Sequence, residues 1–200
     1  MRIITGTRKG RKLLTLDGDA TRPTSERAKE AVFSMIQFSL EGRRVLDLYA
    51  GSGQMCLEAL SRGAVSAVAV DSSSAACGVI RKNAALCRFE NELAIIPDKL
   101  PGALRRLSGR TFDVVFIDPP YALGLIPGTL RALLREKLVS AYGYIVCESG
   151  APGDVFGGDA ALESEFSVLR QARYGAAYIT LMHPAARTED ENGGTGEGEE

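Results

Sequence analysis

The chain has few of the residues that build metal and disulfide sites. It has one histidine, His183, and four cysteines, Cys56, Cys77, Cys87 and Cys147, none paired as C-x-x-C. A zinc site needs closely spaced Cys or His ligands, and a disulfide framework needs matched cysteines in an oxidising compartment, so no metal site or disulfide set is expected. The four thiols read instead as small apolar packing groups, and His183 as a surface residue near a strand end. No run is apolar and long enough to span a bilayer, and no apolar leader opens the chain, so the expected setting is the cytoplasm without membrane contact. Internal repeats and long linkers are also missing. With 200 residues, 45% of them hydrophobic, the expectation is one catalytic domain with small appendages.

Net charge is close to zero but unevenly spread. Thr188 to Glu200 contains six acids and no bases, which leaves 24 bases against 19 acids elsewhere, a net of +5. Much of that excess lies at the front, where Arg2, Arg8, Lys9, Arg11 and Lys12 precede the first acid, Asp17. Such a cluster suits a phosphate-rich partner, or a solvated hairpin carrying incidental charge. Three segments follow: a basic hairpin and helix over 1–40, a main domain over 41–187, and a disordered acidic tail over 188–200.

Apolar periodicity orders the elements. Short extended runs around Gly6 and Gly10 predict a basic hairpin, and Thr24 or Ser25 caps a helix carried by Ala28, Val32, Met35 and Ile36 to about Phe38. Strands are predicted at 45–48, 65–70, 93–96, 112–117 and 144–148, with helices at 54–61, 73–86, 100–107 and 127–138 between them. A closing hairpin is predicted from 166–173 and 176–182 around Tyr174-Gly175. This alternation implies a mostly parallel α/β sheet with helices on both faces.

Two sites carry chemistry. The apolar strand 113–117 runs into Asp118-Pro119-Pro120-Tyr121, at the carboxyl edge where parallel sheets place ligands. The prolines bias Asp118 and Pro119 away from helix and carry no N–H, so the corner offers carbonyls and one carboxylate, all acceptors. These suit an exocyclic amine of adenine, cytosine or guanine, and Tyr121 could stack on the ring. The second site is the loop Asp47-Leu48-Tyr49-Ala50-Gly51-Ser52-Gly53. Its glycines let backbone approach a ligand, but a dinucleotide fingerprint would want a third small residue where Cys56 stands. Asp47 would repel a pyrophosphate and welcome a cation. Asp71 could take ribose hydroxyls and Asp98 an adenine amine, or the two could be a helix cap and a solvated turn acid. Three acids on successive strand ends favour S-adenosylmethionine over NAD.

Together, Asp-x-x-Ala-Gly-Ser-Gly at 47–53, Leu57-Glu58-Ala59-Leu60-Ser61-Arg62-Gly63-Ala64, Arg22-Pro23-Thr24 leading into Arg27, and Asp-Pro-Pro-Tyr at 118–121 resemble the RsmD family of bacterial guanine-N2 methyltransferases of 16S rRNA. The resemblance spans about Arg2 to Leu181. It implies a Rossmann-like class I methyltransferase sheet of seven strands with the last antiparallel, and S-adenosylmethionine held around Asp47, Tyr49, Ala50, Gly51, Gly53, Asp71 and Asp98. It also implies an acceptor corner at Asp118, Pro119, Pro120 and Tyr121, and RNA contacts from Arg8, Lys9, Arg11, Arg22, Thr24 and Arg27. The expected substrate is 16S rRNA, in a partly assembled small ribosomal subunit, met by a monomer. The alternatives are an N6-adenine methyltransferase, which usually needs a recognition domain this chain has no room for, and a non-catalytic nucleic-acid binder on the same fold.

Overall fold

The computed structural model describes residues 1–16, 23–36 and 40–185, with backbone alone for 23–27. Helix α1 (Pro23–Ile36) is followed by β1 (Arg44–Leu48), α2 (Gln54–Ser61), β2 (Ser66–Asp71), α3 (Ser74–Cys87), β3 (Leu93–Pro97) and β4 (Phe112–Ile117). Then come α4 (Ile126–Arg135), β5 (Val139–Ser149), α5 (Ala160–Ser164), β6 (Phe166–Tyr174) and β7 (Ala177–Pro184). The strands form one sheet in the order β3-β2-β1-β4-β5-β7-β6. Strands β1 to β5 pair in parallel, while β7 is antiparallel to both β5 and β6.

Side chains alternate across the central strands, as a pleated backbone requires. Val45, Ala67, Ala69, Val114 and Phe116 pack on the face covered by Val32, Phe33, Leu57 and Ile80 of α1, α2 and α3. Leu46, Leu48, Val68, Val115 and Ile117 pack on the opposite face against Leu104, Leu130, Leu133 and Leu162. A strand buried on both faces reads as a continuous apolar run, which is why β4 was legible. The Phe33 and Phe116 rings meet at 5.7 Å between centroids, and the Arg62 guanidinium lies 4.7 Å above Phe33.

The structure redraws several boundaries. Helix α1 begins at Pro23, ahead of the expected caps, because a proline in a first turn has no N–H that needs a partner; its expected end at Phe38 lies outside the described residues. Strand β5 is longer than predicted because Val139 pairs with Phe112 before a register shift. Residues 102–107 form a 3₁₀ helix. Helix α5 was not predicted; it is five residues long and is capped by the Asp159 carboxylate, which accepts from the Leu162 N–H at 3.0 Å.

The basic arm is a loop closed by one antiparallel bridge, Arg2 to Lys12. Ile3 and Leu13 are buried in the core on the α1–α3 face. Gly6 has φ +84°, and a Cβ there would fall 1.7 Å from the Ser61 carbonyl oxygen, so only glycine lets the arm lie against α2.

Candidate active site

Four neighbouring strands deliver one acid each to the same edge of the sheet. In the order β3, β2, β1, β4 these are Asp98 just past β3, Asp71 ending β2, Asp47 within β1 and Asp118 just past β4. With strands about 4.8 Å apart, the row extends over roughly 14 Å. The turn after β1 and the corner after β4 are neighbours: the Asp118 N–H points to the Leu48 carbonyl at 3.5 Å.

The turn is held from three sides. Tyr49, at φ 65°, begins the left-handed bend, and its hydroxyl lies 2.7 Å from the Thr129 hydroxyl of α4. Asp71 accepts from the Gly51 N–H and from the Ser73 N–H, both at 2.8 Å. Each Asp71 oxygen is thereby oriented and keeps acceptor capacity for a further donor. The Asn83 amide of α3, wholly buried, donates to the Ser52 and Leu14 carbonyls at 3.0 Å each and accepts from the Leu14 N–H at 2.8 Å. One side chain thus joins the arm to the glycine turn.

Asp47 is 2% exposed. Burial pushes its carboxyl up to about 7, against the opposing effect of hydrogen bonds from the Cys56 backbone and thiol; the Asp71 charge adds a further upward push. Near neutral pH this group is poised between charged and neutral, and a cation beside it would draw it to the charged form.

The residues fit a small cationic nucleoside cofactor. A Cβ on Gly51, whose φ is +54°, would have no atom of the described residues within 4 Å, so the turn presents bare backbone there. Gly53, in contrast, would meet Ile80 at 3.1 Å and is needed for packing α3. At the start of α2 the Gln54 side-chain nitrogen is buried and has no hydrogen-bond partner among the described residues. A buried donor left unsatisfied at a helix N-terminus suits a bound carboxylate. Asp98 is the loosest member: it is half-exposed, lies 3.6 Å from Arg106, and accepts from the Lys99 N–H at 2.7 Å.

At the corner, Asp118 and Pro120 are exposed and Pro119 is buried. The Tyr121 hydroxyl donates to Glu148. A Cβ on Gly150 would meet the Tyr121 ring at 3.1 Å, so this glycine lets the ring lie against the end of β5. In the sequence Glu148 reads only as the end of the predicted strand 144–148, and Gly150 as a residue that follows it.

The sequence reading missed Glu58 as a structural hub. Fully buried, it accepts from the Ile4 and Thr5 N–H groups at 2.7 and 3.0 Å and from Arg62 at 2.8 Å, with the Lys29 ammonium at 3.8 Å. Arg8, expected on RNA, donates to the Cys87 carbonyl at 2.6 Å and lies 5.0 Å over the Phe89 ring. That places its cation at the carboxyl end of α3, where the helix dipole favours it. Lys9, Arg11 and Lys12 are exposed. Arg22 and the acidic tail from 188 lie outside the described residues, as do the side chains of Thr24 and Arg27. A cleft of about 390 Å³ near α4 and α5, lined by Arg131, Leu134, Asp159 and Leu162 among others, holds none of the site residues.

Comparison with known proteins agrees with this geometry. The chain is 34% identical over 150 residues to YlbH of Bacillus subtilis, named as a candidate rRNA methyltransferase, covering 74% of this chain and 82% of that protein. It is 29% identical over 191 residues to ribosomal RNA small subunit methyltransferase D of Escherichia coli K12, covering 96% and 93%. The solved structure of yhhF from Escherichia coli, described as a candidate methyltransferase, superposes with a TM-score of 0.78 at 28% identity, covering 94% of this chain and 99% of that one. The family described as "Conserved hypothetical protein 95" matches residues 1–183, and the chain therefore belongs to it, the RsmD family whose signatures its sequence carries.

Proposed function

We propose that this protein transfers a methyl group from S-adenosylmethionine to the exocyclic N2 of a guanine in small-subunit ribosomal RNA. The observation that carries the reading is the pairing of an acceptor-only corner, Asp118-Pro119-Pro120, with the adjoining glycine turn, joined through the contact of Asp118 to Leu48. The relatives named as rRNA methyltransferases supply the substrate class.

When bound, the cofactor supplies an electrophilic methyl on a sulfonium, a leaving group that needs no acid. Asp47 faces its cationic amino-acid end, Gln54 donates to its carboxylate, Asp71 accepts from its ribose hydroxyls, and Gly51 leaves room for the chain. On the substrate side, guanine N2 is a weak nucleophile because its lone pair is shared with the ring. The Asp118 carboxylate and the Pro119 carbonyl accept its two hydrogens, which localises the lone pair on nitrogen and aims it along the line of transfer. The Pro119-Pro120 pair holds that geometry without offering a competing donor. Tyr121, steadied by Glu148 and Gly150, stacks on the extruded base. After transfer the methylated amine releases its proton readily, so Asp118 acts as an acceptor and positioner and no strong base is required.

Lys9, Arg11 and Lys12 on the exposed arm, with Arg22, Thr24 and Arg27 beyond it, hold phosphates. A short basic arm gives limited affinity for naked RNA, which favours a partly assembled subunit as substrate. The test is transfer from labelled S-adenosylmethionine to small subunits lacking the modification, followed by nucleoside analysis. N2-methylguanosine is the expected product. N6-methyladenosine would reassign the target base, and cofactor binding without transfer to any small-subunit particle would overturn the substrate class.

A further inference from the structure

From the turn that follows the acceptor corner, we infer that Leu123 is an apolar wedge that occupies the gap in the RNA stack when the target base is drawn into the site. This rests on the reading of the site as a base-methylation centre. Residues Tyr121–Leu123 form a single 3₁₀ turn. The Leu123 N–H donates to the Pro120 carbonyl at 3.1 Å, so the two residues stand one turn apart. With three residues per turn they share a face, separated by about 6 Å of rise.

The turn sorts its side chains. Tyr121 is drawn toward the sheet by Glu148 and packs against Gly150. Leu123 is 63% exposed, and Pro120 and Ala122 are exposed beside it. The rim around Asp118 is thus apolar on its outer side. A lone exposed leucine is common on protein surfaces and means little by itself. Its place in the turn directly after Asp118-Pro119-Pro120 sets it apart; Met1, whose sulfur lies 3.6 Å from the Ser52 hydroxyl, and Leu14, whose backbone pairs with Asn83, are also exposed but border the glycine turn. Tyr142 is exposed at the amino-terminal end of β5, the opposite edge of the sheet, and Val168 and Leu169 lie on the outermost strand β6, three places from β4.

Extruding a base costs a few kcal/mol of stacking and pairing. An aliphatic side chain inserted between the bases left behind offsets part of that cost, and leucine is among the residues that serve as such wedges. A wedge must be rigidly placed close to the pocket that receives the base. The prolines ahead of the turn and its hydrogen bond to Pro120 meet that condition.

The experiment compares wild type, Leu123→Ser and Leu123→Met in single-turnover transfer to small subunits lacking the modification, with separate measurement of particle and cofactor affinity. At saturating particle, the serine variant is expected to slow transfer about tenfold or more, the share of an unstacking cost of a few kcal/mol that a wedge supplies. Both affinities should stay within about twofold, and methionine should recover most of the rate. An unchanged rate in Leu123→Ser overturns the wedge. So does a loss confined to particle affinity, which would make Leu123 a docking contact. If wild type is inert on the particle while binding cofactor, the base-methylation reading itself fails and the wedge falls with it.

Discussion

The glycine turn and the acceptor corner adjoin at one edge of the sheet and are held in opposite ways. Around the turn, Asp71 holds Gly51, Asn83 holds Ser52, and Thr129 holds Tyr49, so three separate helices or strands each fix one residue of the turn. The corner makes the long contact to Leu48 and is anchored through Tyr121 on Glu148, with Pro119 buried and Asp118 and Pro120 exposed. A small cofactor of fixed shape rewards a preorganised cradle, because fewer groups need ordering on binding. A nucleotide inside a large RNA must be brought in, and a site for it has to stay open. The first two substitutions break one side at a time.

Asp118→Ala removes an acceptor where charge develops, and should lower the transfer rate about 100- to 1000-fold while leaving cofactor affinity within twofold, measured by single turnover and calorimetry. An equal loss in cofactor binding would mean the two halves are not separable. Asn83→Ala attacks the other side. It strips partners from the Leu14 N–H and from two carbonyls, at about 1–3 kcal/mol for each group left buried without one. The melting temperature should drop by about 5 °C or more, and cofactor affinity should weaken because Ser52 loses its tether. Unchanged melting would show that water replaces the amide.

The two regions also differ in how far the sequence discloses them. The strands, the turn and the corner are local patterns: apolar runs of strand length, two glycines, two prolines. Their signals are complete within a few residues, and apart from the early start of β5 at Val139 the strands fall within a residue or two of their expected bounds. Glu58 and Asn83 escaped because their partners in the arm, Ile4 and Leu14, lie 54 and 69 positions away. A weak trace existed. Asn83 falls on the apolar stripe Ile80, Ala84, Cys87, and Glu58 is flanked by Leu57, Ala59 and Leu60, all buried. A polar residue in phase with a buried face must find a partner, though its identity depends on tertiary folding. Helix α5 is too short to show a period, and Arg8 reads the same in sequence whether it meets phosphate or a helix end.

Titration sharpens the comparison from the cofactor side. Asp47 has a folded value of about 7 against an ordinary 3.8. Between these values the folded protein without ligand holds a proton that the unfolded chain has released, so stability from this group is present near pH 4 and is lost as pH rises through 7. Binding of a cationic ligand runs the other way, since it prefers the ionised form. Cofactor affinity should therefore increase as pH rises toward 7 and level off above it, falling by up to about tenfold per unit below. Asp47→Asn should flatten both dependences and weaken binding at pH 8. A slope that survives the substitution would assign the titration to another group. Charge reversal of Lys9 and Arg11 together belongs to the RNA side; it should reduce the salt slope of particle binding by roughly one to two without touching cofactor affinity. An unchanged slope would move the phosphate contacts elsewhere on the surface.

The smallest effect is expected at Asp98, and the reason lies in its position at the end of the row of acids. Asp71 is oriented by two backbone N–H groups and is tied to the glycine turn itself, whereas Asp98 is half-exposed, with Arg106 beside it and the N–H of its neighbour Lys99 on one oxygen. Solvent screens a charge in that setting, and a contact it makes is worth little beyond what water offers. Asp98→Asn keeps an acceptor in place and should change cofactor affinity by less than about threefold, while Asp71→Asn, which replaces one acceptor oxygen of an oriented pair with a donor, should cost more. Equal losses at the two positions, measured by titration calorimetry at one ionic strength, would show that the cofactor reorders Asp98 on binding. The cradle would then be preorganised only as far as β2, and its outer third would be assembled by the ligand.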